Sequence, residues 1–165
     1  MLQKKICLLG SFSVGKTSLV KRFVESLFSE KYLTTVGVKI DKKVVSAGGQ
    51  EATLMLWDLY GEDEYQKIRM SYLRGASGYL LVADGTRAAT VDKALAIREE
   101  AEKNFGAIPC VLALNKCDLA EEWAIEPGRE AELAARAGKV IRTSAKTGEG
   151  VELAFESLAR AMMAT

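Results

Sequence analysis

The chain contains no histidine. That absence removes imidazole as a general base and as a metal ligand, and with it Ser-His-Asp catalysis and His-ligated zinc. Cysteine is scarce: Cys7, Cys110 and Cys117 are odd in number, lack metal-ligand spacing, and two of them lie inside apolar runs. They are expected as reduced thiols, which points to a reducing, cytoplasmic compartment. Net charge is nearly absent too, because 23 Lys and Arg face 22 Asp and Glu for a sum of +1. A nucleic-acid binder with a dedicated basic face is therefore not expected, and any anion must be held locally. Long apolar runs are missing; stretches such as 78–83 fall well short of the roughly 20 residues of a membrane-spanning helix. Position 2 is Leu, no long apolar segment follows the first residues, and no Cys lies near the end, so neither secretion nor a direct membrane anchor is expected. What remains, 165 residues of which 48% are hydrophobic and 27% charged, has the composition of a single domain over 1–165 with one sizeable core.

Short apolar runs alternate with amphipathic segments, the pattern of β-α units around a mostly parallel sheet. Lys5 to Leu9 reads as a buried strand, followed by a glycine-containing loop and a helix from Lys16 to about Phe28. Val36 to Val45 and Ala52 to Trp57 flank Gly48-Gly49, a pair that supplies positive φ at little cost, so an antiparallel hairpin is expected there and places one antiparallel strand at the sheet edge. After an irregular stretch, Gly78 to Ala83 and Cys110 to Leu114 read as strands, with a charged helix from about Ala88 to Phe105 between them. A helix from Pro127 to Ala137 with Gly138 after it, a short strand Val140 to Arg142 and a last helix from Gly150 to Met162 complete the series. The expectation is an α/β fold with a six-stranded sheet and about five helices.

Gly10-Ser11-Phe12-Ser13-Val14-Gly15-Lys16-Thr17 fits GxxxxGK followed by Ser or Thr, and it falls between the first strand and the first helix. Such a loop aims backbone N–H groups at phosphate oxygens. The helix N-terminus adds its positive end, Lys16 neutralises the outer phosphates, and Thr17 offers a hydroxyl to Mg²⁺. Asn115-Lys116-Cys117-Asp118 follows the strand that ends at Leu114, at the edge where open α/β sheets bind ligands. The Asp118 carboxylate can accept from the N1–H and 2-amino group of guanine, whereas adenine would leave it unpaired. Thr143-Ser144-Ala145-Lys146 follows the next strand, where a backbone N–H can meet the guanine O6.

In this order and context the chain resembles the small GTPases of the Ras superfamily, P-loop NTPases built on a G domain, and is most similar to Rab and Rho-like members and their prokaryotic relatives. The resemblance spans essentially the whole chain. It implies GTP and GDP as ligands with Mg²⁺, and nucleotide contacts at Gly10, Ser13, Val14, Gly15, Lys16, Thr17, Ser18, Asn115, Lys116, Asp118, Ser144, Ala145 and Lys146. It also aligns the family's DxxG with Asp58-Leu59-Tyr60-Gly61, so that Asp58 would hold Mg²⁺ through a water and the Gly61 N–H would meet the γ-phosphate. The first-switch threonine matches Thr35, with Thr34 its neighbour, and completes a metal set of Thr17, Thr35 and Asp58. Phe28 matches the aromatic that lies against the guanine face, and a core role is its alternative. Lys16, Thr35, Gly61 and Glu62 form the implied catalytic set. Effectors would engage residues 32–40 and 59–74, with an exchange factor and an activator as further partners.

Three positions depart from the family pattern. Glu62 stands where most members carry the glutamine that positions the attacking water, Phe12 replaces a small phosphate-loop residue, and Tyr60 replaces an alanine. Hydrolysis is therefore expected to be slow. A GTP-binding interaction module with little or no hydrolysis is the alternative, and an ATP-using phosphotransferase is disfavoured by Asp118. Cys117 fills the variable position of the NKxD motif, where a redox role is set against a spectator one.

Overall fold

The structure, a computed structural model, describes residues 2–11, 13–24, 31–33, 38–59 and 71–164. Seven strands make one sheet: β1 (Leu2–Gly10), β2 (Lys31–Leu33), β3 (Val38–Ala47), β4 (Gln50–Leu59), β5 (Gly78–Asp84), β6 (Cys110–Asn115) and β7 (Lys139–Arg142). Their order is β2-β3-β4-β1-β5-β6-β7, parallel from β4 to β7 and antiparallel at β2-β3 and β3-β4. The α/β expectation is met, and the sheet is one strand wider than expected. The added strand, β2, pairs with Lys39 to Asp41, so the one strand that runs against the others, β3, is internal rather than at the edge as expected, and the edge strand β2 runs in the direction of the parallel strands. Three residues are too few to show a period-2 pattern in the sequence.

Among the described residues four α-helices are present, against about five expected: α1 (Lys16–Val24), α2 (Ala89–Phe105), α3 (Pro127–Ala137) and α4 (Val151–Met163). The remainder of the helix expected from Lys16 to Phe28 lies outside the described residues. Gly48 and Gly49, with φ of 60° and 78°, turn the β3-β4 hairpin as their spacing predicts. No helix of the described residues is long and apolar enough to cross a membrane.

β5 is buried along its whole length, which explains a run of apolar residues without alternation: helices cover both of its faces. Alternate residues feed two layers. Ile6, Leu8, Leu80 and Val82 meet Leu19 and Phe23 of α1 and Phe155 and Leu158 of α4. Cys7, Leu9, Leu81 and Leu114 meet Val91 and Ala94 of α2 and Leu133 of α3. The Phe23 and Phe155 rings stack with centroids 4.1 Å apart, locking α1 onto α4. Lys43, buried on β3, donates to the Phe23 carbonyl in the last turn of α1 and pairs with Glu152 at 3.1 Å. A cation there satisfies a helix C-terminal carbonyl and complements the negative end of the helix.

The parallel register fixes the site. Leu8 faces Asp58, Gly10 faces Val82, Asp84 faces Asn115 and Leu114 faces Arg142. The segments that carry the motifs thus leave the sheet along one carboxyl edge.

Candidate nucleotide-binding site

The loop from β1 to α1 is shaped by close approach. A Cβ on Gly10 would lie 2.3 Å from the Val82 carbonyl oxygen, and one on Gly15 would lie 2.3 Å from Asn115 Nδ2. Gly15, at φ 101°, and the exposed Ser13, at φ 62°, bend the backbone between them. The outward carbonyls of the loop are taken by the Asn115 segment: Asn115 Nδ2 donates to Val14 O at 2.9 Å and Lys116 Nζ to Ser13 O at 3.2 Å. A trans peptide sets its N–H opposite its C=O. Those two bonds therefore turn the Val14 and Gly15 N–H groups to the inner side of the loop, where an anion would collect them. Lys16, 6% exposed, brings its ammonium 3.2 Å from Gly10 O and 3.4 Å from Ser11 O, placing a positive charge at the loop where α1 begins.

Asn115 also accepts from Thr143 Oγ1 at 3.1 Å through Oδ1, so one buried amide joins the loop after β7 to the loop after β1. Lys116, in left-handed conformation at φ 71°, lies 2.8 Å from Asp84 Oδ2. Asp84 ends β5 with 1% exposure and further accepts from Arg87 Nε at 2.9 Å and from Thr86 N and Oγ1 at 2.9 and 2.6 Å. Burial alone would push its carboxyl up; the hydrogen bonds from Lys116, Thr86 and Arg87 outweigh that and hold it at about 2. Asp118 Oδ1 accepts from Ser144 Oγ at 2.7 Å, and the same hydroxyl accepts from Thr147 N at 3.1 Å.

These segments converge on a cavity of about 480 Å³ lined by Gly15, Ser18, Asn115, Lys116, Asp118, Ala145 and Lys146, all chosen from the sequence, with Leu119 adding apolar surface. Beside it, Thr17 Oγ1 donates to Asp58 Oδ2. Asp58 is fully buried and its Oδ1 has no partner among the described residues. Burial pushes this carboxyl up, and the Thr17 hydrogen bond and the charges of Lys16 and Lys39 oppose the shift. A hydroxyl beside an unsatisfied carboxylate oxygen is a hard donor set of the kind Mg²⁺ takes. Among the described residues no three Asp, Glu or Cys side chains gather as a cation site, so a cation here would need phosphate oxygens to complete its shell. The Cys117 thiol is pushed up to about 11 by burial and by the Glu149 carboxylate. It is a neutral thiol at physiological pH, which favours the spectator role.

Phe12, Phe28, Thr34, Thr35, Tyr60, Gly61 and Glu62 lie outside the described residues. The sequence reading missed Asp84 and Thr143. Asp84 had one available signal, a carboxylate closing an apolar strand at the ligand edge.

A parallel sheet with this loop between β1 and α1, and with the ends of β5, β6 and β7 around one cavity, defines a P-loop nucleotide-binding protein. A sequence model of the Ras family matches residues 5–164. Rab-8B of Homo sapiens is 34% identical over 161 residues, covering 96% of this chain and 78% of that protein. Rab-13 of Canis lupus familiaris is 33% identical over 158 residues, covering 94% and 78%. The chain belongs to the Ras family and is a Rab-like small GTPase of the Ras superfamily.

Proposed function

We propose that this GTPase is a guanine-nucleotide switch that binds GDP and GTP with Mg²⁺, as a single G domain over 1–165 in the cytoplasm, and hydrolyses GTP slowly. The observation that carries the guanine reading is the convergence of Gly15 and Ser18 with Asp118, Ala145 and Lys146 on one cavity. Asp118, oriented by Ser144, accepts from the guanine N1–H and 2-amino group. Adenine would strand that carboxylate, which costs several kcal/mol. A backbone N–H of the Ser144–Lys146 segment meets O6. The inner N–H groups of 14 and 15 and the Lys16 ammonium hold phosphate oxygens. Thr17 and Asp58 would hold Mg²⁺, with Thr35 joining in the triphosphate state; when bound, the ion supplies charge neutralisation at the phosphates. Competition titration tests the assignment: GDP should exclude ATP, and Asp118→Asn should shift preference toward xanthine nucleotides. Equal ATP and GTP affinity overturns it.

The slow step is inferred from two side chains. An ionised Glu62 has no N–H to offer the γ-phosphate and adds negative charge where negative charge develops. Phe12 puts a benzyl group into a loop whose glycines admit no Cβ, and a side chain of that size at this position of the sequence would compete with a water-orienting group or an activator's arginine. Single-turnover hydrolysis should be slow in the wild type and faster in Phe12→Gly/Glu62→Gln. A fast wild type slowed by Glu62→Gln makes Glu62 productive and reverses the reading. If the double variant stays inert, the second reading, a nucleotide-stabilised interaction module, is favoured. Effectors would engage residues 32–40 and 59–74, the segments whose conformation follows the γ-phosphate.

A further inference from the structure

We infer that Arg22, remote from the phosphates in the last turn of α1, is a positioning residue for guanine recognition, fixing the backbone that reads O6; this rests on the guanine reading above. Its half-buried guanidinium reaches 123 residues along the chain to accept no proton and donate two: Nε donates to Ala145 O at 2.9 Å and Nη2 donates to Lys146 O. A planar fork that takes two successive carbonyls fixes two successive peptide planes, which a point charge cannot do.

Each plane has a consequence on its other side. The Ala145 carbonyl faces Arg22, so the Lys146 N–H of the same peptide points away from it, and Ala145 and Lys146 line the cavity. The Lys146 carbonyl faces Arg22, so the Thr147 N–H is turned away as well. It donates to Ser144 Oγ at 3.1 Å, and that hydroxyl donates to Asp118 Oδ1 at 2.7 Å. One arginine thus directs the N–H available to O6. No strand or helix spans residues 143–150; backbone bonds from Ser144 N to Glu149 O and from Gly148 N to Ser144 O, both 2.8 Å, close the loop, and between them the Ala145 and Lys146 carbonyls are taken by Arg22. Gly148, whose φ of 89° favours glycine, lies against the guanidinium, where a Cβ would make only ordinary contact at 3.7 Å from Arg22 Nε. Because Lys16 and Thr17 open the same helix, α1 places phosphate contacts and the clamp on the base loop in one rigid body.

The test uses three diphosphates that differ at the base. GDP and IDP carry O6 and an N1–H, whereas 2-aminopurine riboside diphosphate carries neither but keeps the 2-amino group that Asp118 would accept from, so an effect transmitted through Asp118 would weaken it too. Arg22→Ala should weaken GDP and IDP by about five- to tenfold, the range of one lost hydrogen bond, and leave the 2-aminopurine nucleotide within about twofold. Equal weakening of all three, or of none, overturns the inference, since a structural role alone does not distinguish bases by O6. Should Arg22→Ala fail to fold, Arg22→Lys, which keeps stem and charge without the fork, is measured against the same three ligands with the same outcomes. A wild type that binds ADP as tightly as GDP sinks the guanine assignment itself. A wild type that selects GDP while the variant loses all three alike sinks only the role of Arg22.

Discussion

The proposed base-reading half of the site and its proposed metal corner are built on opposite terms. Around Asn115, Lys116, Asp118 and Ser144 the polar groups answer one another: the Asn115 amide nitrogen has Val14 O, its oxygen has Thr143, Asp84 has Lys116, and Asp118 has Ser144. On β4, three strands from β6, Asp58 is just as buried and keeps one carboxylate oxygen without a partner among the described residues. The first arrangement is complete in the protein alone and preorganises the cavity. The second is costly in the protein alone while the carboxylate is ionised, and a cation would relieve it. Nucleotide without a cation should therefore find its base contacts ready, while the phosphate end gains most from Mg²⁺.

The largest effect should come from breaking the complete half. Asn115→Ala removes the brace between two loops and leaves Val14 O and the Thr143 hydroxyl without their amide partner. We expect destabilisation of about 2–4 kcal/mol, together with a loss of nucleotide affinity of about a hundredfold or more, read by urea unfolding and by GDP titration. Nucleotide affinity close to wild type would mean that the loops hold their shape without it.

Asp84→Asn should cost about 1–2 kcal/mol at neutral pH, because the carboxylate is held at about 2 against an ordinary value near 3.8. The folded value is depressed, so the stabilisation is present above the ordinary carboxylate range and is lost as pH falls toward 2. The difference in unfolding free energy between wild type and variant should shrink across that window. A difference that stays constant in acid would show that shape, and not charge, is what Asp84 contributes.

Asp58→Asn should give the smallest change and the opposite sign. Its carboxyl is raised by burial, so ionisation above that raised value costs folded-state stability, and the cost disappears as pH falls through it. Removing the charge should stabilise the nucleotide-free chain by about 1 kcal/mol and at the same time reduce the thermal stabilisation gained from Mg²⁺ and GDP together. A nucleotide-free variant that melts earlier than the wild type would place Asp58 with the complete half and dissolve the contrast.

How much of this could be read from the sequence follows the distance over which the chemistry is written. Gly10 to Thr17, Asn115 to Asp118 and Ser144 to Lys146 are local: spacing alone orders their backbone groups, and the strand before each sets its place on the edge. Seven of the chosen residues line the cavity for that reason. Asp58 was legible because it closes the second strand of a hairpin marked by Gly48-Gly49. Arg22 was not, because its partners are 123 and 124 residues away and nothing in the period of α1 separates it from a solvated helix arginine. Thr143 and Asp84 share that limitation, acting through contacts that exist only once the sheet has brought its strand ends together. β2 is held by backbone pairing with β3 over three residues, which no side-chain pattern announces.

The hydrogen bond from Lys43 to the Phe23 carbonyl has a consequence for the polymer physics of the chain. It joins residues 20 apart in sequence, one in the last turn of a packed helix and the other inside a paired strand, and so closes a ring that contains the first-switch segment. The entropy of bringing the ends of such a ring together grows only with the logarithm of its length and is already spent in the folded sheet. If the proposed switch rearranges between those ends, the cost is confined to the backbone within the ring, because the helix that carries Lys16 and the strand that pairs with Asp58 are tied to each other.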